Sequence, residues 1–157
     1  MEFRPLRRIG QAVDPAECEA TLASAPRGVL AVHGENGYPY GLPVDHLYLD
    51  GKIYFHCARA GHKLDAMRAN DKVCFTICSE PAKNPGEWWN TFTSVICFGH
   101  ASEVTDDREK ERILRLLAAR HYPEERIVEE TLAKHARNAL VFRIDVDHMS
   151  GKRVREK

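Results

Sequence analysis

Apolar positions in this chain recur every second residue in some stretches and every third or fourth in others, and the two periods divide it into strands and helices. Lys52-Ile-Tyr-Phe-His-Cys-Ala58 alternates, so Ile53, Phe55 and Cys57 share one face and Tyr54, His56 and Ala58 the other. The first set reads as core. Further strands are predicted at 29–33, 39–49, 72–78, 92–104 and 139–146, with Asp50-Gly51 as a tight hairpin turn. Six strands suggest a barrel. Asp14-Pro15-Ala-Glu17 is a helix start, with Asp14 as N-cap, proline at the first helical position and a buried stripe of Cys18, Leu22 and Ala25 before Arg27-Gly28 ends it. Two charged helices are predicted between the last two strands, at 106–121 with Ile113, Leu116 and Leu117 on one face, and at 123–137. Asp107-Arg-Glu-Lys-Glu-Arg112 reads as a solvated helix face.

Leu64 and Met67, three residues apart, predict a short helix that Asn70 stops, and Gly61 stands just before it. The amides of Gly61, His62 and Lys63 would then be unpaired at a helix N-terminus, where the partial positive charge, a close backbone approach at glycine and the Lys63 ammonium suit a phosphate. The same residues also read as a loop end and two solvated first-turn side chains. His56 and His62 flank this basic turn, which favours a ligand-facing role over a purely structural one. Upstream, Pro39 and Pro43 interrupt a strand-like run; prolines mark an edge strand, a bulge, or a place where another group meets the backbone. A flat heteroaromatic ring fits that place, with Leu42 to Val44 reading its polar edge and Tyr40 as a wall.

These runs, Gly37-Tyr-Pro-Tyr-Gly-Leu-Pro-Val44, Gly51-Lys-Ile-Tyr-Phe-His56, Gly61-His-Lys-Leu64, Thr93-Ser-Val-Ile-Cys-Phe-Gly-His100 and a closing Ser150-Gly-Lys-Arg153, resemble the Nim-type (5-nitroimidazole-resistance-related) branch of the pyridoxamine 5′-phosphate oxidase-like flavoproteins. The resemblance covers most of the chain, from Arg7-Arg8 to Lys152. It implies a six-stranded antiparallel split β-barrel with peripheral helices, an α+β fold, binding FMN at the interface of a homodimer. Carried over residue by residue, His56, Cys57, Ala58, His62 and Lys63 match the phosphate and ribityl side. Leu42, Pro43 and Val44 match the strand along the isoalloxazine, and Ser94 and Val95 the strand that closes over it. The tryptophan-rich run from Pro85 to Phe92 departs from the family's shorter approach; Trp88-Trp89 reads as a lid or, more readily, as a partner-facing patch.

Composition narrows the field. The 157 residues suit one domain, and 23 basic residues balance 23 acidic ones, which argues against a nucleic-acid or acidic-membrane partner held by bulk charge. No apolar run approaches a membrane span and the N-terminal residues lack a signal-like stretch, so the chain is expected in the cytoplasm. Five cysteines without a C-x-x-C pair are expected to be reduced, and no metal site is expected, although eight histidines are many. The expected function is an FMN-dependent oxidoreductase reducing a small organic acceptor, nitroaromatics among the candidates, with a reduced nicotinamide as donor. His56 is the candidate catalytic residue, a proton donor to the reduced product, besides positioning the cofactor. Two alternatives stand beside it: a haem-binding or haem-degrading split barrel, and a non-catalytic FMN-binding sensor or carrier.

Overall fold

The computed structural model describes residues 2–156. Seven strands, β1 (Gly28–His33), β2 (Pro39–Val44), β3 (Leu47–Leu49), β4 (Lys52–Ala58), β5 (Lys72–Cys78), β6 (Thr91–Glu103) and β7 (Ala139–Arg155), form one antiparallel sheet in the order β2-β1-β5-β6-β7-β4-β3. The helices are α1 (Pro15–Ser24), α2 (His62–Ala69), α3 (Asp107–Ala119) and α4 (Glu125–His135). The expected six-stranded barrel is therefore corrected to an open seven-stranded sheet, whose end strands β2 and β3 do not pair with each other.

The extra strand arises at Asp45-His46. Alternation predicts one strand over 39–49, but the His46 ring turns inward to full burial, its Nε2 bonded to the Leu22 carbonyl at 2.7 Å and its edge toward Phe75. That inward turn splits the run. β2 is left as a sheet edge paired only with β1, a position that tolerates Pro39 and Pro43 because a missing N–H there breaks no ladder. The predicted turn forms, with Asp50 at φ 51° and Gly51 at φ 76° between the paired residues Leu49 and Lys52. β7 runs to Arg155 instead of stopping at 146, because a bulge beside Phe98 and Gly99 keeps it in register with β6 through a polar stretch.

The sheet curls around its inner face. Leu30, Ile53, Phe55, Phe75, Val95 and Ile144, from alternating positions of five strands, belong to one buried cluster that α1 and α2 complete with Leu22 and Leu64. Asp14 caps α1 as expected, accepting from the Glu17 amide at 2.8 Å, although the helix stops at Ser24, short of Arg27-Gly28. On the outer side of β4 and β7, a second cluster joins Tyr54 and Val141 to Ile113, Leu114 and Leu117 of α3. Here too there is a correction: Leu114 is buried and Leu116 is 36% exposed. The sequence Ile-Leu-x-Leu-Leu admits either stripe, and packing on Tyr54 and Val141 selects one.

His46 carries a consequence for stability. Burial pushes its imidazole below the ordinary value of 6.5, outweighing the carbonyl bond that favours the charged form. The folded protein therefore binds fewer protons than the unfolded chain below about pH 6.5, and stability falls as pH drops through that point, by about 1.4 kcal/mol per pH unit until the folded state also protonates. Urea unfolding at pH 7.5 and 5.5 checks this. The midpoint should be lower at 5.5 and the difference smaller in His46→Leu relative to its own pH 7.5 value; a flat wild-type profile would contradict a neutral buried His46.

Candidate functional site

Gly61 begins the site. It is the N-cap of α2 with φ 133° and ψ 162°, a combination open essentially only to glycine, and it offers no side-chain cap. Its carbonyl accepts from Leu64 N at 2.9 Å and Asp65 N at 3.2 Å. The N–H groups of Gly61, His62 and Lys63 are left with no acceptor among the described residues. A Cβ built on Gly61 would meet nothing within 4 Å, and Gly61 and His62 are exposed and Lys63 half-buried at the positive end of a helix. The loop that delivers them is tied down at Arg59, whose Nε donates to the Arg137 carbonyl at 3.0 Å.

Two strands converge on this turn. His62 stacks on Tyr40 of β2 with ring centroids 4.1 Å apart and planes 9° from parallel. Tyr40 and Leu42 lie half-buried on the inner face of β2 and Val44 is buried, whereas Pro43 points outward and is exposed. On β4, His56 and Ala58 point outward and are exposed, while Cys57 is 4% exposed and packs in the core. Cys57 can meet a ligand only through its backbone, and burial pushes its thiol further above its ordinary value, so it is no nucleophile at neutral pH.

Behind His56 a cavity of about 430 Å³ opens between β4 and the pair α3 and α4, lined by Asp45, His56, Leu117, His121, Leu132 and His135 among others. Asp45 is engaged by Arg27 Nε at 2.6 Å and stands 3.5 Å from His121 Nε2. The Arg27 hydrogen bond holds its carboxyl below the usual carboxylate range. Partial burial, then the nearby Lys63 charge, lowers the His56 pKa and keeps the imidazole neutral near pH 7. Asp45, His121 and His135 were not among the residues expected at the site; their only advance signal is the high histidine content.

Ser94 and Val95 are not brought to this group. They lie on β6, and no hydrogen bond, ion pair or ring contact joins either of them to the turn among the described residues. Val95 is fully buried and Ser94 Oγ donates to the Lys152 carbonyl at 3.5 Å. Tyr40 joins the turn through the His62 ring and His56 through the nearby Lys63 charge, an arrangement able to hold a phosphate on backbone amides and Lys63, to flank a flat ring with Tyr40, and to exchange a proton at His56. No group of three or more His, Cys, Asp or Glu among the described residues is arranged to hold a metal ion, and no helix among them is long and apolar enough to cross a membrane.

Solved structures share this architecture. A candidate 5-nitroimidazole antibiotic resistance protein from Bacteroides thetaiotaomicron matches with TM-score 0.77 at 21% identity, over 90% of this chain and 86% of that one. The conserved hypothetical protein Rv2991 from Mycobacterium tuberculosis matches with TM-score 0.80 at 19% identity, over 94% of this chain and 90% of that one. An FAD and haem binding protein from Mycobacterium smegmatis matches with TM-score 0.74 at 18% identity, over 94% of this chain and 74% of that one. At such identities the likeness is one of fold. No curated protein matches the chain. The model of the pyridoxamine 5′-phosphate oxidase family matches residues 14–153, nearly the whole sequence and every element that builds the cluster, and the chain belongs to that family.

Proposed function

We propose that this protein is an FMN-dependent oxidoreductase of the Nim-type branch, acting in the cytoplasm as a homodimer. The observation that carries the reading is the set of three acceptor-less amides at Gly61, His62 and Lys63, at a helix N-terminus beside a lysine. One phosphate fits there. A single phosphate site suits the mononucleotide FMN. Lys63 and the three amides hold the phosphate, Ala58 and the Cys57 backbone lie on the ribityl side, and Tyr40, Leu42, Pro43 and Val44 run beside the ring. When bound, the flavin supplies two-electron redox chemistry; the protein supplies orientation and a proton. His56, on the outer side of β4, is the group that exchanges a proton with the bound molecule, entering as the neutral imidazole that its lowered pKa favours, and a reduced nicotinamide is the electron donor.

Ser94 and Val95 sit mid-sheet, so in this reading a second copy of the chain brings its β6 over the ring. Trp88 at 89% exposure, with Val29 and Phe98 at 46% and 40% on the outer sheet face, leaves apolar surface for such a partner. A shared site links cofactor binding to dimerisation. Purified protein should be yellow and release FMN, identified by mass spectrometry, and should sediment as a dimer at low micromolar concentration, shifting toward monomer when stripped. Recovery of FAD alone, or a flavin-loaded monomer, would sink the proposal.

A second reading has an observation of its own: three histidines around one cavity suit haem, with one of them as axial ligand. A single intense Soret band would favour it, where the flavin reading requires two broad bands in the near-ultraviolet and blue. FMN-loaded protein that no nicotinamide reduces would point to a sensor or carrier.

A further inference from the structure

The cavity behind His56 is built differently from the turn that faces the phosphate. Its floor is apolar, formed by Leu114 and Leu117 of α3 and Leu132 of α4, and its rim carries His56, His121, Tyr122 and His135. Its volume of about 430 Å³ lies in the range of pockets that enclose small organic molecules. The one carboxylate on the rim, Asp45, is already engaged by Arg27 at 2.6 Å and by His121 at 3.5 Å. His56 and His135 make no hydrogen bond to any other described residue. With Asp45 engaged the rim keeps no free anion, whereas each imidazole and the Tyr122 hydroxyl can turn one donor toward a ligand, and the nearby Lys63 charge adds positive potential at His56.

We propose that this cavity is the pocket for the molecule the flavin acts on, and that it selects a small planar aromatic ring carrying a two-oxygen acceptor head such as a carboxylate. The apolar floor takes the ring; His135 and Tyr122 take the head, and His56 stands between ring and cofactor. The proposal rests on the flavin reading only through His56, the residue shared by both sites. Specificity then resides in α3 and α4, not in the strands that hold the cofactor.

The probe is 2-naphthoate, a carboxylate that the flavin cannot reduce, titrated calorimetrically into the full chain as purified, with neutral 2-naphthamide as the contrast. One naphthoate should bind per chain and the amide about tenfold more weakly; His135→Ala should weaken naphthoate about tenfold, as expected for a lost hydrogen bond to a charged group. Leu132→Trp, which fills the floor, should abolish binding while FMN content is retained. His135 is exposed, so its variant reports even if Leu132→Trp does not fold. Absence of naphthoate binding at millimolar concentration, equal binding of the amide, or unchanged affinity in His135→Ala would overturn the pocket. A colourless protein that still binds naphthoate with these preferences would support the pocket and count against the flavin instead.

Discussion

Replacing Lys63 by Ala should lower the affinity for FMN by about ten- to a hundredfold, the equivalent of a charge-assisted contact of about 1.5 to 3 kcal/mol. Lys63 stands in the first turn of α2, half-buried, with no ion pair to another described residue. Its removal leaves no carboxylate stranded. The buried side of α2 consists of Leu64, Ala66 and Met67, none of which the substitution touches, so the fold and the helix should survive. Fluorescence titration of flavin-free protein reads the affinity, and circular dichroism reads the fold. Unchanged affinity with an intact fold would remove the phosphate from this turn.

Gly61→Ala should have an effect of similar size by a different route. At φ 133° and ψ 162° an alanine is strained by about 1 to 3 kcal/mol, although its methyl would meet no neighbour within 4 Å. The backbone can relieve that strain by rotating, which re-aims the amides of Gly61, His62 and Lys63, or keep its course at a loss of stability. FMN affinity should fall about tenfold in the first case, and the unfolding midpoint by about 2 to 4 °C per kcal/mol of strain in the second. Because both substitutions act on one phosphate, Lys63→Ala and Gly61→Ala combined should lose less affinity than their separate losses multiplied. Wild-type affinity and wild-type stability together in Gly61→Ala would contradict the observed backbone.

The features that were legible in the sequence are those set by neighbours in the chain. The cap at Asp14 and Pro15, the Asp50-Gly51 turn and the start and stop of α2 at Gly61 and Asn70 depend on backbone rules acting over a few residues, and each is found as expected, whereas Glu17, in capping-box position, turns its carboxylate to Arg153 and Thr93. The break after Val44 is different. Nothing in Val-Asp-His-Leu-Tyr distinguishes a continuing strand from a kinked one until α1 supplies the Leu22 carbonyl that His46 reaches. The choice of Leu114 over Leu116 likewise waits on Tyr54 and Val141, and the tail of β7 is held in the sheet by pairing with β6 against its own polarity.

The same division runs through the site. The phosphate turn is local, so its glycine, its lysine and its helix could be read together, and the Tyr40 and His62 rings meet because β2 and α2 flank one curved sheet. The cavity joins Asp45, His56, His121 and His135 from four separate segments, and no spacing in the sequence encodes that meeting. Ser94 and Val95 come from the family pattern alone, and no contact among the described residues ties them to the turn.

The central claim is that a flavin monophosphate is gripped by its phosphate at the start of α2. Riboflavin carries the same ring and ribityl chain without that phosphate, so parallel titrations of flavin-free wild type, Lys63→Ala and Gly61→Ala with FMN and riboflavin isolate the contact. The account predicts that wild type binds FMN about a hundredfold or more tightly than riboflavin and that the gap narrows sharply in both variants. Equal affinity of wild type for the two flavins would contradict it.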